Sequence, residues 1–283
     1  MKTRRDFLKM SLGTLLLAES VSLFGAEIHS RKSWKIGITD WDLRSTGRPG
    51  SFAAAKELGF EGVQVSYEPN GANSLANKEN RLKFLEAAKE SSVGIASLCM
   101  GILNGQPLAT TPEAEEWAGD CINAMVEMDI DQTLLAFFDR GDMNQHKEHQ
   151  PLVVEKLKRL ATFAEKKKKI LAIESYLSAE DHLRLLDAIG SDAVKVYYDV
   201  RNSRNKDYDI FHEMELLGKQ NVIAQIHFKE DCCRLGEGDI NFVMVCEMLE
   251  KIDYKGWIIV EGSVQGDWKE SQMANARFIK NLV

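Results

Sequence analysis

Disulfide-forming potential is scarce in this chain, and so are long apolar runs and positive charge. Five cysteines, Cys99, Cys121, Cys232, Cys233 and Cys246, are spread over 283 residues. Their odd number and lack of a short repeating spacing exclude a small disulfide-stapled scaffold. Cys121 and Cys246 fall on helical apolar stripes and read as packing residues, while Cys232 and Cys233 read as incidental loop thiols. Lysine and arginine number 36 against 43 aspartates and glutamates, a formal charge of −7. A surface so acidic repels phosphate backbones, so nucleic acid is not an expected partner. The one dense basic patch, Glu165 to Lys169, lies at the end of a predicted helix, where lysines complement the dipole and face water. No Gly-rich phosphate loop follows the first predicted strand, which weakens a dinucleotide-binding reading. Clustered arginines and a Gly-rich anion nest are missing as well, which disfavours a phosphorylated substrate.

The first thirty residues form a separate unit. Thr3 to Ser11, "TRRDFLKMS", places two arginines ahead of a phenylalanine, a leucine and a lysine, and an apolar run, Leu12 to Ala18, follows. That run is far below the ~20 residues needed to span a bilayer, so it reads as a signal segment and not as an anchor. The segment resembles the twin-arginine export signal. The resemblance implies recognition by the twin-arginine export machinery, passage across the membrane in folded form and a periplasmic product. No cysteine follows the apolar run, which argues against a lipid anchor after processing. Removal of residues 1–30 takes away four basic and three acidic residues and leaves a formal charge of −8.

Residues 31–283 then alternate regularly, a length of roughly 250 residues that suits one barrel domain. Apolar runs at Trp34–Thr39, Gly62–Tyr67, Val93–Met100, Thr133–Phe138, Ile170–Ser175, Val194–Val200, Asn221–Phe228 and Gly256–Gly262 read as eight strands. Between them run helical patterns: Ser51–Phe60, Asn77–Ser91 with Leu82, Leu85 and Ala88 on one face, and about Pro112–Met128 with Trp117, Cys121 and Met125 buried. A stripe of Val153, Leu157, Leu160 and Ala164 follows, then a helix opened by Ser178 and stopped by Gly190, and a last helix from Lys269 to Leu282. Continuous apolar strands bounded by helices indicate parallel strands covered on both faces, and eight such units predict a closed (β/α)8 barrel of the α/β class. No second domain, low-complexity segment or further repeat is visible.

Four of the predicted strands end in a metal-ligating side chain. Strand five ends at Glu174, strand six at Asp199, strand seven at His227 and strand eight at Glu261. The C-terminal strand ends of such a barrel form the mouth where chemistry takes place. Three carboxylates gathered there would repel one another and be costly to desolvate, a difficulty that one divalent cation removes. Two glutamates, one aspartate and one histidine suit manganese, magnesium, cobalt or zinc. Any one of these residues alone reads as an ordinary polar strand end; four in succession point to a site.

At these positions the chain also resembles the sugar isomerases and epimerases with a xylose-isomerase-like barrel, which include ketose 3-epimerases, hydroxypyruvate isomerase and inosose dehydratase. The carriers are "AIES" around Glu174, "YYDVRN" around Asp199, "IHFKE" around His227, "LGEGDINF" from Leu235 to Phe242, and "YKGWIIVEG" ending near Glu261. The resemblance covers roughly Lys35 to the end. It implies that Glu174, Asp199, His227 and Glu261 hold one divalent metal ion, and that Glu174 and Glu261 are also the catalytic pair. The implied reaction is proton abstraction next to a carbonyl through a metal-stabilised enediolate, epimerising or isomerising a sugar-like ketose or aldose. Trp41, Asn104, Arg140, Asn202 and Lys229 lie beyond strands one, three, four, six and seven and are weaker candidates for substrate contacts. Asn202 stands where some epimerases carry a substrate-contacting histidine, a departure from the simple ketose 3-epimerase pattern.

Three rival readings use the same architecture. A metal-dependent lyase or dehydratase would begin with the same proton abstraction and then expel hydroxide or an alkoxide. An endonuclease IV-like repair enzyme would need several more histidines at strand ends, and of the six here only His227 stands at one. An exported sugar-binding protein would keep the metal site without turnover. The partner expected on all but the nuclease reading is a small carbohydrate; the sugar is not named by these residues, and a homo-oligomer is compatible with them.

Overall fold

The computed structural model describes residues 34–262 and 266–282. The arginine pair and apolar run of the proposed export signal lie outside these residues. Eight strands, β1 (Ile36–Thr39), β2 (Gly62–Ser66), β3 (Gly94–Met100), β4 (Gln132–Phe137), β5 (Ile170–Ser175), β6 (Val194–Asp199), β7 (Ile223–Phe228) and β8 (Ile258–Val260), pair in sequence order. β8 pairs with β1 in parallel and closes the barrel. The surrounding helices are α1 (Ser51–Leu58), α2 (Lys78–Ser91), α3 (Ala114–Glu127), α4 (His149–Lys167), α5 (Ala179–Ile189), the short α6 (Val200–Asn205), α7 (Ile210–Lys219), α8 (Phe242–Lys251) and α9 (Trp268–Leu282). Among the described residues, no helix is long and apolar enough to cross a membrane.

Side-chain alternation divides the strands between two cores. Outward-facing Val63, Val65, Leu171, Ile173, Val196 and Ile226 pack under the helices in one continuous core, as apolar strands covered on both faces require. A smaller cluster of Cys99, Leu134, Ala136, Ala172 and Tyr197 packs inside the barrel, beside the buried polar Gln64, Ser97 and Gln225. Cys121 and Cys246 are buried as expected. The second helix departs from expectation. Leu82 is 57% exposed, and the buried face of α2 carries Asn80, Arg81 and Phe84. Arg81 is drawn inward because its guanidinium donates to the carbonyls of Leu75 and Ala76 and pairs with Glu127, so a polar head shares the face that apolar spacing alone assigned elsewhere.

Two β-bulges aim side chains into the barrel. Val63 and Gln64 are consecutive on β2 but pair with Ile95 and Ser97, leaving Ala96 as an extra residue on β3. Val196 and Tyr197 pair with Ile223 and Gln225, leaving Ala224 extra on β7. A bulge shifts the alternation by one residue. Ile223 faces outward beside Val196, so strict alternation would also turn Gln225 and His227 outward; the extra residue turns both inward.

Two devices hold the strand ends next to the mouth. Ser175, at the end of β5, makes a 3.0 Å bond to Nε2 of buried His182, whose Nδ1 lies 3.1 Å from the Ser178 carbonyl. A carbonyl only accepts, so Nδ1 carries the proton and Nε2 accepts from the serine hydroxyl. Burial pushes His182 down to about 4. Below pH 6.5 the unfolded chain binds a proton here that the folded chain refuses, so this group's stability is lost as pH falls from 6.5 toward 4. At the end of β8, Gly262 has φ 138°, and a Cβ there would lie 3.0 Å from the Glu230 carbonyl. That backbone conformation favours glycine.

Each device gives a stability test. The difference in denaturation free energy between wild type and His182→Gln should shrink as pH is lowered from 7 to 4, and a constant difference across that range contradicts the assignment. Gly262→Ala should lose more than about 1 kcal/mol by urea denaturation, while Gly101→Ala, with nothing within 4 Å of its Cβ position, should stay near wild type.

Candidate metal centre

The four strand-end residues singled out in the sequence converge. Glu174 projects inward from β5, on the face of Ala172 and opposite to Ser175. Asp199 closes β6 and caps α6: its Oδ1 accepts the backbone N–H groups of Arg201 and Asn202, both at 2.8 Å. His227 enters from β7 through the bulge. Glu261 lies one residue beyond β8, its backbone N–H donating to the Phe228 carbonyl at 3.1 Å. His227 Nδ1 is 3.1 Å from Glu261 Oε2, 3.2 Å from Glu174 Oε1 and 3.6 Å from Asp199 Oδ2. One ligand atom from each of the four lies within 4.8 Å of all the others. Exposure is 5% for Glu174, 3% for Asp199 and 0% for His227.

The electrostatics follow from that crowding. Burial, reinforced by the charges of Glu261 and Asp199, pushes Glu174 up to about 7 against the opposing pull of His227. Burial works against a charged His227, yet Glu261 and Glu174 beside it hold the imidazole well above its ordinary value. Glu261 is held below the usual carboxylate range: the cost of burial is outweighed by His227 and by Lys229. Lys229 donates to Glu261 Oε2 at 3.1 Å, and its ammonium is likewise held up, against burial, by Asp199, Glu261 and Glu174.

These residues fit a divalent cation on two counts. Asp199 Oδ2 is buried without any hydrogen-bond partner, although its twin oxygen is fully used in capping α6. His227 Nδ1 and Lys229 Nζ each stand 3.6 Å from this oxygen, too far for a hydrogen bond; a buried carboxylate oxygen without one is costly, and a bound cation would satisfy it. Charge agrees: three carboxylates are balanced by a dication together with the Lys229 ammonium when His227 is the neutral ligand. A second group of donor atoms, from His146, Glu148 and His149, lies at the start of α4, where Glu148 is 71% exposed on its side chain. It has only three donors.

The weaker candidates fall into two sets. Trp41, half-buried, stands edge-on to His227 at 6.5 Å between ring centroids. Asn202 is buried, and its Nδ2 donates to Glu174 Oε1 at 3.3 Å, while its Oδ1 lies 3.5 Å from Lys229 Nζ. These three residues, counting Lys229, border the quartet. Asn104 is occupied elsewhere, its Oδ1 accepting the Phe138 N–H at 3.0 Å, and Arg140 is exposed in the turn after β4.

Residues around the site that sequence reading passed over come from β1 and β2. Asp42 Oδ2 accepts the Gly262 N–H at 2.8 Å and so ties the chain after Glu261 to the loop after β1. Asp40 accepts from the hydroxyl and the backbone N–H of Ser66 and from the Gly47 N–H. Burial pushes both carboxyls up to about 6, with the charge of Glu261 adding to the effect at Asp42. Gln64 accepts from His227 Nε2 at 3.0 Å. The available signal was the pair Gln64 and Ser66, alternating with Val63 and Val65 inside the run "GVQVSY", at the period that faces the barrel axis.

Comparison with known proteins agrees with this geometry. Residues 52–282 match the model of the xylose isomerase-like TIM barrel family. The L-ribulose-5-phosphate 3-epimerase of Salmonella typhi is 23% identical over 257 residues, covering 80% of this chain and 90% of that protein. Among solved structures, D-allulose 3-epimerase from Methylomonas sp. superposes with a TM-score of 0.72 at 16% identity, over 89% of this chain and 99% of its own. D-psicose 3-epimerase from Clostridium cellulolyticum H10 gives 0.73 at 17%, covering 88% and 99%. The 3-keto-D-glucoside 4-epimerase of E. coli gives 0.71 at 14%, with the same coverage. The curated relatives are sugar epimerases, and the matched region takes in all four residues of the quartet. This chain belongs to the xylose isomerase-like TIM barrel family.

Proposed function

We propose that this protein is a divalent-metal-dependent isomerase or epimerase of a sugar or sugar-like ketose or aldose, with Glu174, Asp199, His227 and Glu261 as metal ligands. The observation that carries the proposal is the convergence of four donor atoms within 4.8 Å at the barrel mouth, one of them the orphaned Asp199 Oδ2. Bound there, manganese, magnesium, cobalt or zinc would supply positive charge against an oxyanion developing next to a carbonyl. The chain supplies the rest. Glu174 and Glu261 reach the centre from β5 and from the end of β8, with His227 between them within 3.2 Å of each. Two carboxylates so placed can remove a proton from one face of a carbon and return one from the other. His227 and, after it, Lys229 keep Glu261 ionised, as a base requires, and Lys229 also holds it by a 3.1 Å hydrogen bond.

The surroundings favour a neutral carbohydrate. Trp41, Phe138 and Tyr176, beyond β1, β4 and β5, offer apolar ring faces of the kind that pack against sugar C–H groups. Asp40, Asp42 and Glu68 add negative charge on the β1–β2 side, where a phosphate would be repelled. Arg201, which could pair with one, is committed to Glu230, Asp231 and Asp239. The Salmonella relative acts on a phosphorylated pentulose; the substrate proposed here lacks the phosphate. The same first step would serve a lyase or dehydratase, and loss of mass or an unsaturated carbonyl in the product identifies that outcome.

The decisive assay incubates metal-loaded protein with free ketoses, inososes and 3-keto-glycosides in deuterated water. Wild type should incorporate one solvent deuterium at a single carbon, and Glu174→Gln and Glu261→Gln should slow the exchange by ~10²–10⁴-fold. Full exchange by Glu261→Gln on a substrate turned over by wild type contradicts its role. Export is proposed on residues 1–30 alone. A tagged chain should fractionate with the periplasm, and replacing Arg4 and Arg5 by lysine should retain it inside; unchanged fractionation removes the twin-arginine reading.

A further inference from the structure

Directly beneath the quartet the barrel interior is polar. Gln64 on β2, Ser97 on β3 and Gln225 on β7 are each 0% exposed, and Tyr197 on β6 is 1% exposed. Barrel interiors are usually filled by branched apolar side chains. Here the groups form one hydrogen-bonded chain. Gln225 Nε2 donates to the carbonyl of Ala96 at 3.4 Å, Ser97 Oγ donates to Gln225 Oε1 at 2.6 Å, and Gln64 Nε2 donates to Ser97 Oγ and to Tyr197 Oη, both at 3.0 Å. Gln64 Oε1 faces His227 Nε2 at 3.0 Å.

The direction of every bond is forced from one end. Ala96 is the extra residue of the β3 bulge, and its carbonyl can only accept, so Gln225 must present its NH2 there and its oxygen to Ser97. The single proton of Ser97 is then used on Gln225, so toward Gln64 the hydroxyl can only accept. Gln64 must turn its NH2 to Ser97 and its oxygen to His227. A carbonyl oxygen cannot donate, so Nε2 carries the hydrogen, and Nδ1 is left facing Glu174, Asp199 and Glu261. A ring flip would bring a C–H against Gln64 and remove nitrogen from the quartet. Both bulges serve this arrangement: Ser97 follows Ala96 and Gln225 follows Ala224, and neither side chain would point inward without the extra residue before it.

We infer that this chain, anchored on the Ala96 carbonyl and acting through Gln64, is a positioning device that fixes the ring orientation and tautomer of His227 so that Nδ1 is the ligand atom. The inference rests on the reading of the quartet as a metal centre. Outer partners of ligating histidines typically change metal affinity by ~10–100-fold when removed, and the same range is expected for Gln64→Leu, which keeps the bulk and loses all three side-chain bonds. Calorimetric titration of metal-stripped protein with Mn2+ or Zn2+ reads it. Nitrogen-15 correlation spectra of the Zn2+-loaded protein supply a second readout: wild type should show His227 with a protected Nε2–H and a metal-shifted Nδ1, and Gln64→Leu should lose the protection. Gln225→Leu breaks the far end without touching His227; it should weaken binding in the same direction by a smaller factor, and it stands in should Gln64→Leu fail to fold. Wild-type affinity in the folded variants, with the same His227 spectrum, overturns the inference while leaving the metal reading intact. Failure of the wild type itself to bind either ion overturns the metal reading, and this inference with it.

Discussion

Everything at the mouth of this barrel depends on one electrostatic constraint: three carboxylates share a nearly dry volume around a single imidazole nitrogen. At separations of 3.1–3.6 Å from His227 Nδ1, their mutual repulsion in a medium of reduced dielectric amounts to several kcal/mol unless cations are interleaved. The chain itself supplies two such charges, His227 and Lys229, and the shortfall is borne by Glu174, pushed up to about 7 by burial and by its neighbours. A dication bound there would take over that burden: His227 would serve as a neutral ligand, and the charge that favours a proton on Glu174 would be relieved.

That constraint explains the division of labour around the barrel. The donors come from the consecutive strands β5 to β8, whereas the groups that aim them come largely from the opposite side. Asp42, beyond β1, holds the backbone after Glu261; Gln64, on β2, holds His227; Ser97, on β3, holds Gln64. A quartet that sits on one half of the barrel with supports on the other depends on barrel closure itself, and the parallel pairing of β8 with β1 is the seam that brings the Gly262 N–H within 2.8 Å of Asp42 Oδ2.

The sequence disclosed the quartet because each member ends an apolar run, and the eight-fold alternation disclosed the barrel for the same reason: both signals are local and periodic. What it concealed was set by register. His227 faces the axis only because Ala224 is an extra residue in β7, and nothing in "NVIAQIHF" marks Ala224 as a bulge before its pairing with β6 is known. The stripe assigned to α2 holds at Leu85 and Ala88, which pack against the core, and fails at Leu82 for a related reason. Arg81 is held inward by backbone carbonyls of the preceding loop, and that contact displaces Leu82 toward solvent. Asp40 and Asp42 belong to no motif in the sequence, and their role is visible only once Ser66 and Gly262 stand beside them.

Polar layers inside a barrel are tolerable only when their partners are complete, and here the exceptions are informative. Among the described residues, the buried side-chain atoms lacking a partner are Ser51 Oγ, Tyr67 Oη, Asp142 Oδ2, His149 Nδ1 and Asp199 Oδ2. The four groups of the barrel-interior chain are absent from that set, so the network costs little despite its burial. Asp199 is different. Its Oδ1 is doubly bonded to backbone N–H groups and fixed by α6, so the side chain cannot rotate to rescue Oδ2 without giving up the cap, worth about 1 kcal/mol. One oxygen of this carboxylate is thus fixed by the cap while the other carries no hydrogen bond and has three further donors within 4.8 Å. On the proposed reading, the helix cap would present that oxygen to the cation already in place.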